Sequence, residues 1–361
     1  MLTTPFSIPP FKGGREGLLL PFFFLLFPLL LQAEEMPVGY YNAIDGTKDS
    51  ELKDSLRQII RPHTAIPYGS GAGSTWGVFY YSDQDDEGYC MDMYCDTWKK
   101  FTSVGAVVSG CNIEHSFAKS WWGGAEYDQY KDCYHLNPSN STANSSRSNY
   151  PPGIPTQDFK TGNTGSLRVG KAVHNVIRPD GSTLSEAHWV FEPKDEYKGD
   201  FARAYFYMAT CYGHDTNGNC PDLKANGKKN YEGWRTDNKD VGSYYAMRND
   251  SYLEFQDWLI EVLITWHRQD PVSEKETKRM DAVSDFQHNR NPYIDYPELA
   301  EYIWGNKKGI AVKCSELTGE VTSVPATIAP AGTSTVRKII RNGQVLIERN
   351  GVVYSIIGIA L

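Results

Sequence analysis

The chain has 361 residues, of which 22% are charged and 13% aromatic. This balance is typical of one large or two small globular domains and excludes a disordered chain. The formal net charge of −8 gives no support to nucleic-acid binding through overall charge, so such a function would need a local basic face or a bound cation.

The first 33 residues differ from the rest of the chain. Lys12 and Arg15 precede an apolar run over residues 18–31, and Leu31-Gln32-Ala33 then offers a cleavage site. This pattern predicts a secretory signal peptide over residues 1–33. A membrane anchor is the alternative, but the run is shorter than the roughly 20 apolar residues that a spanning helix needs. We therefore expect a secreted protein, located outside the cell or at its surface, with the periplasm as an alternative.

Hydrophobic patterns predict a mixture of helices and strands after this leader. Residues 55–60 have a helical pattern, whereas residues 77–81 and 104–111 are rich in β-forming residues and predict strands. The best helical patterns cover residues 201–212 and 252–267. Helices and strands without regular βαβ alternation indicate an α+β fold.

The seven cysteines are typical of a protein exported into an oxidising compartment. Cys90 and Cys95 are close enough in sequence for a local disulfide, as are Cys211 and Cys220, and an odd number leaves at least one thiol over. The pairing stays open because several connectivities fit these spacings. Cys-x-x-Cys and His-x-x-x-His spacings do not occur in the sequence, which argues against a structural zinc site.

The C-terminal part changes in composition. Residues 316–335 predict a linker because they include a run rich in Thr, Ser, Ala and Pro. Asn342-Gly343 and Asn350-Gly351 are two-residue hairpin turns between β-rich runs, so residues 336–361 predict a small three-stranded β-meander. Such a unit is marginally stable alone, which suits an appendage better than a catalytic domain.

The stretch CNIEHSFAKSWW, residues 111–122, places Glu114 and His115 side by side at the end of a predicted strand. Adjacent residues of a regular element point in different directions, so such a pair alone is more often an ordinary polar pair. A second polar segment follows, with Asn144 and Arg147. The gap between the two segments can hold a loop and the start of a helix, which would let Asn144 fold back beside Glu114.

These residue types match the needs of phosphodiester hydrolysis. A neutral His can take a proton from the attacking water. A hard cation such as Mg²⁺ binds carboxylate and amide oxygens, and it needs only one or two protein ligands. Arginine can hold a phosphate oxygen with a geometry that lysine does not match.

Glu114-His115 and the segment NSSRSN, residues 144–149, resemble the motifs of the endonuclease I family, which comprises secreted or periplasmic nucleases with a ββα-metal (His-Me finger) site. The resemblance extends through GSGAGSTWGVFYYSD, FEPKDEYKGDFARAYFYMATCY and QHNRNPYIDYPELAEYIWG, and it covers about residues 38–305. It implies a ββα-metal core within a mixed, helix-rich α+β domain at residues 34–315.

The resemblance also implies a role for each residue of the two motifs. His115 would be the general base, Glu114 and Asn144 would bind one Mg²⁺, and Arg147 would contact phosphate. Mn²⁺ or Ca²⁺ are alternative metals. The implied products carry 5′-phosphate and 3′-hydroxyl ends. The sequence departs from the family where Tyr134-His135 replaces a common His-His or His-Asn. Some members also have an extra Arg between the two motifs, whereas this gap has only Lys119 and Lys131, which leaves open which group assists Arg147.

A competing interpretation concerns glycosylation. Asn144-Ser145-Ser146 and Asn140-Ser141-Thr142 are both acceptor sequons. A glycan on Asn144 would block metal binding, so only one interpretation can hold. We favour the ligand interpretation, with a bacterial source as its corollary.

We therefore predict a secreted, metal-dependent endonuclease of DNA, with RNA as a further substrate and little sequence specificity, because phosphate contacts carry no base information. The expected partners are the nucleic-acid substrate and the bacterial export machinery, and the protein is expected to be a monomer. The tail resembles C-terminal sorting modules of exported bacterial surface proteins. The alternatives are a surface-displayed binding protein on a degenerate nuclease scaffold and a nuclease specialised for RNA.

Overall fold

The computed structural model describes residues 36–95, 99–160, 166–216 and 234–318, and the backbone of three strands between residues 336 and 355. The predicted signal peptide lies outside the described residues, as does most of the predicted linker. In the part of the chain that is described, no helix has the length and apolar character needed to cross a membrane.

Helices make up most of the regular structure, and three separate antiparallel sheets accompany them. The helices of the described residues are α1 (Asp49–Ile60), α2 (Thr75–Ser82), α3 (Asp128–Lys131), α4 (Ser141–Arg147), α5 (Lys198–Tyr212), α6 (Ser243–Ala246), α7 (Asp257–Gln269), α8 (Glu274–Gln287), α9 (Pro292–Asp295) and α10 (Leu299–Ile303). The strands are β1 (Cys111–His115), β2 (Leu136–Asn140), β3 (Arg168–Ile177), β4 (Thr183–Glu192), β5 (Val336–Arg341), β6 (Gln344–Arg349) and β7 (Val352–Ser355). This mixture confirms the predicted α+β class.

Helix α5 lies at the centre of the main core. Almost every residue of α5 is buried, including Arg203, which forms an ion pair with Glu276. The helix contacts α1, α7 and α9. Both long helices predicted from the sequence are present, although α7 begins at Asp257 and not at residue 252. The chain turns before it, because Glu254 has a left-handed backbone with φ of 65°.

Two predicted strands are wrong. Residues 77–81 belong to helix α2, whose Trp76 and Phe79 rings contact each other at 5.4 Å; a strand would place residues three apart on opposite faces. Aromatic residues favour strands mainly because they fit half-buried surfaces, and here packing against α8 is satisfied by a helix. In the second predicted strand, residues 104–110 form turns, and Gly105 and Gly110 have φ of 77° and 82°. The strand begins only at Cys111.

Strands β1 and β2 and helix α4 form a continuous β-β-α unit. The two strands are antiparallel, with Cys111 opposite Asn140 and Glu114 opposite Asn137. Asn140 then caps α4, because its Oδ1 accepts hydrogen bonds from the backbone N–H groups of Thr142 and Ala143 at 2.9 and 3.2 Å. This order of elements is consistent with the ββα-metal core that the resemblance implies, and it fixes where α4 begins relative to β1.

The other two sheets are simple. Strands β3 and β4 form a hairpin ten residue pairs long. The C-terminal strands pair in the order β5-β6-β7, which confirms the predicted three-stranded meander. The Asn-Gly turns between these strands lie outside the described residues.

The cysteine neighbours differ from those expected from sequence spacing. The thiol of Cys90 forms a hydrogen bond with Cys111, and this contact and burial raise the pKa of Cys90. The Cys95 thiol instead donates to Asp92 Oδ2 at 3.2 Å. Cys90 thus lies beside Cys111 at the start of β1, while Cys220 is outside the described residues.

Candidate active site

Strand β1 and helix α4 bring the two sequence motifs together. Asn112 and Glu114 are two residues apart on β1 and therefore project to the same side. Asn144 and Arg147 are one helical turn apart on α4. Asn144 Nδ2 donates to Asn112 Oδ1 at 2.9 Å, and Arg147 Nη1 donates to Glu114 Oε1 at 3.1 Å. These two contacts place Asn144 on the same face of the β-β-α unit as Glu114.

The Glu114 carboxylate is buried, with the residue 4% exposed. Tyr94 Oη donates to its Oε1 at 2.8 Å, and Arg147 donates to the same oxygen. Oε2 receives neither of these bonds. Burial raises the pKa of Glu114 to about 7, although the positive charge of Arg147 and the hydrogen bond from Tyr94 act in the opposite direction. A cation near Oε2 would stabilise the charged form of this carboxylate.

Arg147, the predicted phosphate contact, forms most of its hydrogen bonds within the protein. The residue is only 1% exposed. Its Nη atoms donate to the backbone carbonyls of His115 and Ser116, and Nη2 also donates to Tyr205 Oη at 3.1 Å. These groups and Glu114 use its terminal nitrogens, and through these bonds Arg147 holds Glu114 and the end of β1 in place. Arg147 also borders the cavity described below, and its contact with phosphate stays a prediction.

His115 presents one ring nitrogen for chemistry. Its Nε2 lies 3.0 Å from the Tyr130 carbonyl oxygen. Because a carbonyl only accepts, Nε2 carries the hydrogen and Nδ1 retains the lone pair. Burial lowers the pKa of His115 well below its usual value, and the neighbouring His135 contributes to the lowering. The ring is therefore neutral at pH 7 and can act as a base through Nδ1.

Both motifs border an open cavity of about 620 Å³, whose walls include Tyr68, Glu114, His115, Lys119, Asn144 and Asn149. Three of these wall residues, Tyr68, Lys119 and Asn149, were not assigned a role from the sequence. The Tyr68 ring stacks on the His115 ring at a centroid distance of 5.6 Å. Lys119 is exposed, and its Nζ lies 5.5 Å from the centre of the Tyr130 ring. Lys119 thus supplies exposed positive charge to this cavity.

The donors around the cavity fit a divalent cation. The hydrogen bond from Asn144 Nδ2 to Asn112 fixes the orientation of the amide. The amide oxygen Oδ1 of Asn144 takes no part in this bond. One carboxylate and one amide oxygen are the hard donors that Mg²⁺ or Ca²⁺ prefers, and water can complete the coordination shell. The resemblance described above implies a divalent metal, and both its presence and its identity here stay predictions.

A second cluster of potential metal ligands lies elsewhere in the core. His63, Asp132 and Cys211 place ligand atoms within 4.8 Å of one another. However, Asp132 Oδ2 accepts from Tyr207 and Tyr212 at 2.7 Å each, and Oδ1 accepts from the Tyr134 backbone and Gln287. A carboxylate that already accepts four hydrogen bonds is a structural group. We therefore assign this cluster to the core and not to a metal site.

Comparison with known proteins supports the same region. The family model described as Endonuclease I matches residues 48–298. The chain is 32% identical over 269 residues to the extracellular ribonuclease of Bacillus subtilis (strain 168). These aligned residues cover 73% of this chain and 78% of the relative. The chain is 33% identical over 287 residues to the extracellular ribonuclease of Bacillus amyloliquefaciens, with 77% and 84% covered. The chain therefore belongs to the endonuclease I family and is a nuclease.

Proposed function

We propose that this chain is a secreted, divalent-metal-dependent endonuclease that hydrolyses phosphodiester bonds of DNA and RNA with little sequence specificity. The observation that carries the proposal is that Glu114, His115 and Asn144 border one open cavity, with a neutral imidazole among oxygen donors. Two relatives support RNA as a substrate and an extracellular location, since both are named extracellular ribonucleases.

His115 is the proposed general base. Its Nδ1 would accept the proton of the water that attacks phosphorus, while the bond from Nε2 to the Tyr130 carbonyl holds the ring. The same bond stabilises the imidazolium that forms, because a protonated ring still donates from Nε2. The proposed products carry 5′-phosphate and 3′-hydroxyl ends.

Glu114 and Asn144 are the residues that would hold the metal. When bound, a divalent cation supplies positive charge that stabilises the transition state and the leaving oxygen. Arg147 is proposed to position Glu114, since its guanidinium donates a hydrogen bond to Oε1. Lys119 is proposed to attract the substrate phosphates into the cavity through its exposed charge.

The test measures turnover by purified mature protein on duplex DNA, single-stranded DNA and RNA, with Mg²⁺, Mn²⁺ or Ca²⁺ and with EDTA. Cleavage should disappear with EDTA and return when metal is added. Glu114→Gln and Asn144→Ala should each reduce the rate about 100-fold or more and raise the metal concentration needed for half-maximal activity. Turnover that is unchanged by EDTA would overturn the metal proposal.

Glu276→Gln is a matched control for Glu114→Gln. Glu276 is also a buried carboxylate with a pKa raised to about 7, and it is paired with the buried Arg203. It does not border the cavity. Loss of stability without loss of metal dependence in Glu276→Gln would show that the effect at Glu114 comes from its position in the cavity.

The alternative of a binding protein on a degenerate nuclease scaffold finds no support in the comparisons, because the matching family and both relatives are nucleases. We also propose the division into a signal peptide (1–33), a nuclease domain (34–315), a linker (316–335) and a C-terminal sorting tail (336–361). Mass spectrometry of secreted protein would show which of these segments persist.

A further inference from the structure

A second cavity, of about 420 Å³, lies beside the cavity that Glu114, His115 and Asn144 border, which we call the catalytic cavity. Asn149 borders both cavities. The walls of the second cavity also include Tyr150, Lys171, Trp189 and Lys239. It therefore begins two residues after Arg147, at the end of the helix that carries Asn144, and continues onto the β3–β4 hairpin.

Tyr150, Trp189 and Lys171 line this cavity, and the side chain of Lys160 contacts both aromatic rings. Trp189 on β4 is paired with Lys171 on β3, and the Tyr150 ring stacks on Trp189 at 5.4 Å with an interplanar angle of 18°. Lys160 Nζ lies 4.7 Å from the centre of the Tyr150 ring and 5.3 Å from that of Trp189, and Lys171 Nζ is 5.3 Å from Trp189. We call Tyr150, Trp189, Lys160 and Lys171 the aromatic platform.

The charges around the platform are not equivalent. Lys171 pairs with Asp158 at 3.0 Å, and Lys239 pairs with Glu186 at 2.7 Å, so nearby carboxylates offset both. Lys160 instead donates to the Ser146 carbonyl of α4 at 2.9 Å, and it forms no ion pair within the described residues. Lys160 is thus the lysine of the platform whose charge is left for a phosphate.

Asn149, which lies between α4 and Tyr150 of the platform, is held in place by contacts with neighbouring segments. Asn149 Oδ1 accepts from the Gly242 backbone at 2.9 Å, and the Asn149 carbonyl accepts from Trp121 Nε1 at 3.0 Å. A Cβ on Gly242 would lie 2.3 Å from the Asn149 carbonyl oxygen, so the two backbones are in close contact. The distance from the platform to Asn144 is therefore fixed by the fold.

We propose that the aromatic platform binds bases of a single-stranded polynucleotide whose backbone passes through the catalytic cavity. Base stacking on Tyr150 and Trp189 tolerates any sequence because every base has an aromatic face, and a lysine beside the rings neutralises the adjoining phosphate. Bases of a duplex are stacked on one another and are not available. The inference rests on the proposed function, and it adds that single strands, either RNA or unpaired DNA, are the preferred substrates.

The experiment measures binding without cleavage. Fluorescent single-stranded 12-mers of RNA and of DNA, and a duplex of the same length, are titrated with His115→Ala protein carrying each further change. Trp189→Ala should weaken single-strand binding roughly tenfold, with duplex binding changed less than about twofold, and Trp189→Phe should restore most of the affinity. Tyr81→Ala is the control, since Tyr81 is an exposed aromatic residue, 42% accessible, that borders neither cavity.

Salt dependence tests the lysine separately and does not depend on the folding of the Trp189 variants. Lys160→Gln should reduce the slope of log Kd against log salt by about 0.7 for single strands, as expected for one lost phosphate contact. Lys278→Gln removes an exposed lysine on α8, 63% accessible, and should leave the slope unchanged. The RNA and DNA arms show whether the platform distinguishes the two sugars.

Equal single-strand affinity in Trp189→Ala and an unchanged slope in Lys160→Gln would overturn the platform as a subsite. So would a loss of affinity that is the same for duplex and single strands, which would indicate a general structural role. Failure of the proposed function would have a different signature, because wild-type protein would then cleave none of the three polymers. The binding comparison decides the platform independently of that outcome.

Discussion

Two carboxylate–histidine clusters of this nuclease have similar composition and opposite surroundings. Glu114 and His115 border an open cavity, whereas Asp132 lies beside His63 in the core, with 3.8 Å between the His63 Nε2 and Asp132 Oδ2 atoms. Burial raises the pKa of Glu114 to about 7. The pKa of Asp132 is lowered even though burial raises it, because His63, His135 and hydrogen bonds from Tyr207 and Tyr212 outweigh the burial.

The difference lies in which hydrogen-bonding positions are already used. His63 is occupied on both sides, since Nδ1 lies 2.7 Å from the Arg61 carbonyl and Nε2 lies 3.1 Å from Tyr212 Oη. His115 uses Nε2 for the Tyr130 carbonyl, and it borders the cavity. Proximity of an imidazole and a carboxylate therefore does not by itself predict a catalytic site; the proposal for His115 rests on a ring that borders a cavity and has one nitrogen outside the bond to Tyr130.

Exchange of the two histidines for alanine should give the largest contrast. We expect His115→Ala to lower kcat roughly 10³-fold with little change in substrate Kd, because the variant loses the general base. His63→Ala should keep most of the activity of the molecules that remain folded and should lower Tm, because it removes a partner of Asp132 and Tyr212. Single-turnover cleavage and thermal unfolding of both variants check this.

The opposite result would break the comparison. A His63 variant with normal stability and a kcat as low as that of His115→Ala would place the buried cluster in the reaction. Equal activity of His115→Ala and wild type would remove His115 from the mechanism.

Glu114 differs from Asp132 in that its buried charge is paired with the guanidinium of an arginine, Arg147. We expect Arg147→Met to reduce the free energy of unfolding by about 3–5 kcal/mol, because Glu114 is left buried without its positive partner. The double variant Glu114→Gln/Arg147→Met should recover part of this loss, since it removes the uncompensated charge. Urea unfolding of the two variants gives both values.

Arg203→Met is the matched control for Arg147→Met. Arg203 is also buried and pairs with the carboxylate of Glu276. The Arg203→Met variant should therefore lose comparable stability, but its cleavage reaction should keep its metal dependence. A stability of Arg147→Met equal to that of wild type would show that the fold does not need this guanidinium to keep Glu114 buried.

The structure brings the predicted site residues Glu114, His115 and Asn144 to one cavity, whereas two of the strands predicted nearby are wrong; the roles of the three residues stay predictions. The pair Glu114-His115 and the later Asn144 stood out because few residue types suit metal and proton chemistry, and these two segments match a family pattern. Helix α2 was mistaken for a strand because Val78, Phe79, Tyr80 and Tyr81 have high β-propensity, whereas in the fold this segment packs against α8 as a helix. Local sequence does not report such a distant partner.

The surroundings of each site residue were also outside the reach of the sequence. Arg147 was expected at a phosphate, but its bonds to the His115 and Ser116 carbonyls depend on how α4 packs against β1. Tyr94 donates to Glu114 from a segment without any motif. The residue types were predictable from chemistry, whereas their hydrogen-bond partners required the fold.

The carboxylate of Asp132 should determine part of the stability of the fold at acidic pH. The pKa of Asp132 is lowered in the fold, below that of an unfolded Asp, roughly 3.9. Its ionised form therefore stabilises the fold at neutral pH, and this contribution is lost as the pH falls below about 4 through the folded pKa. Asp132→Asn should cost about 2 kcal/mol at pH 7 and progressively less below pH 4.

Urea unfolding at pH 7, 5 and 3 measures this dependence. Asp180→Asn is the control, because Asp180 also has a lowered pKa but is exposed and bonded only locally to Ser182. A constant difference between Asp132→Asn and wild type from pH 7 to pH 3 would mean that the carboxylate is not ionised in the fold, and the contrast with Glu114 would be lost.

Tyr68 should have the smallest effect, because in the proposed site it acts only on the orientation of the His115 ring. Its ring stacks on His115 with an interplanar angle of 25°, and it contacts Tyr130 at 4.7 Å. Tyr68→Ala should lower kcat about threefold to tenfold, the loss expected for one aromatic contact, whereas Tyr68→Phe should keep the wild-type kcat because it retains the ring. Single-turnover rates at saturating metal measure the difference. An unchanged rate in Tyr68→Ala would show that the Tyr130 carbonyl alone orients His115, and the catalytic histidine would then be held by one hydrogen bond where the buried His63 is held by two.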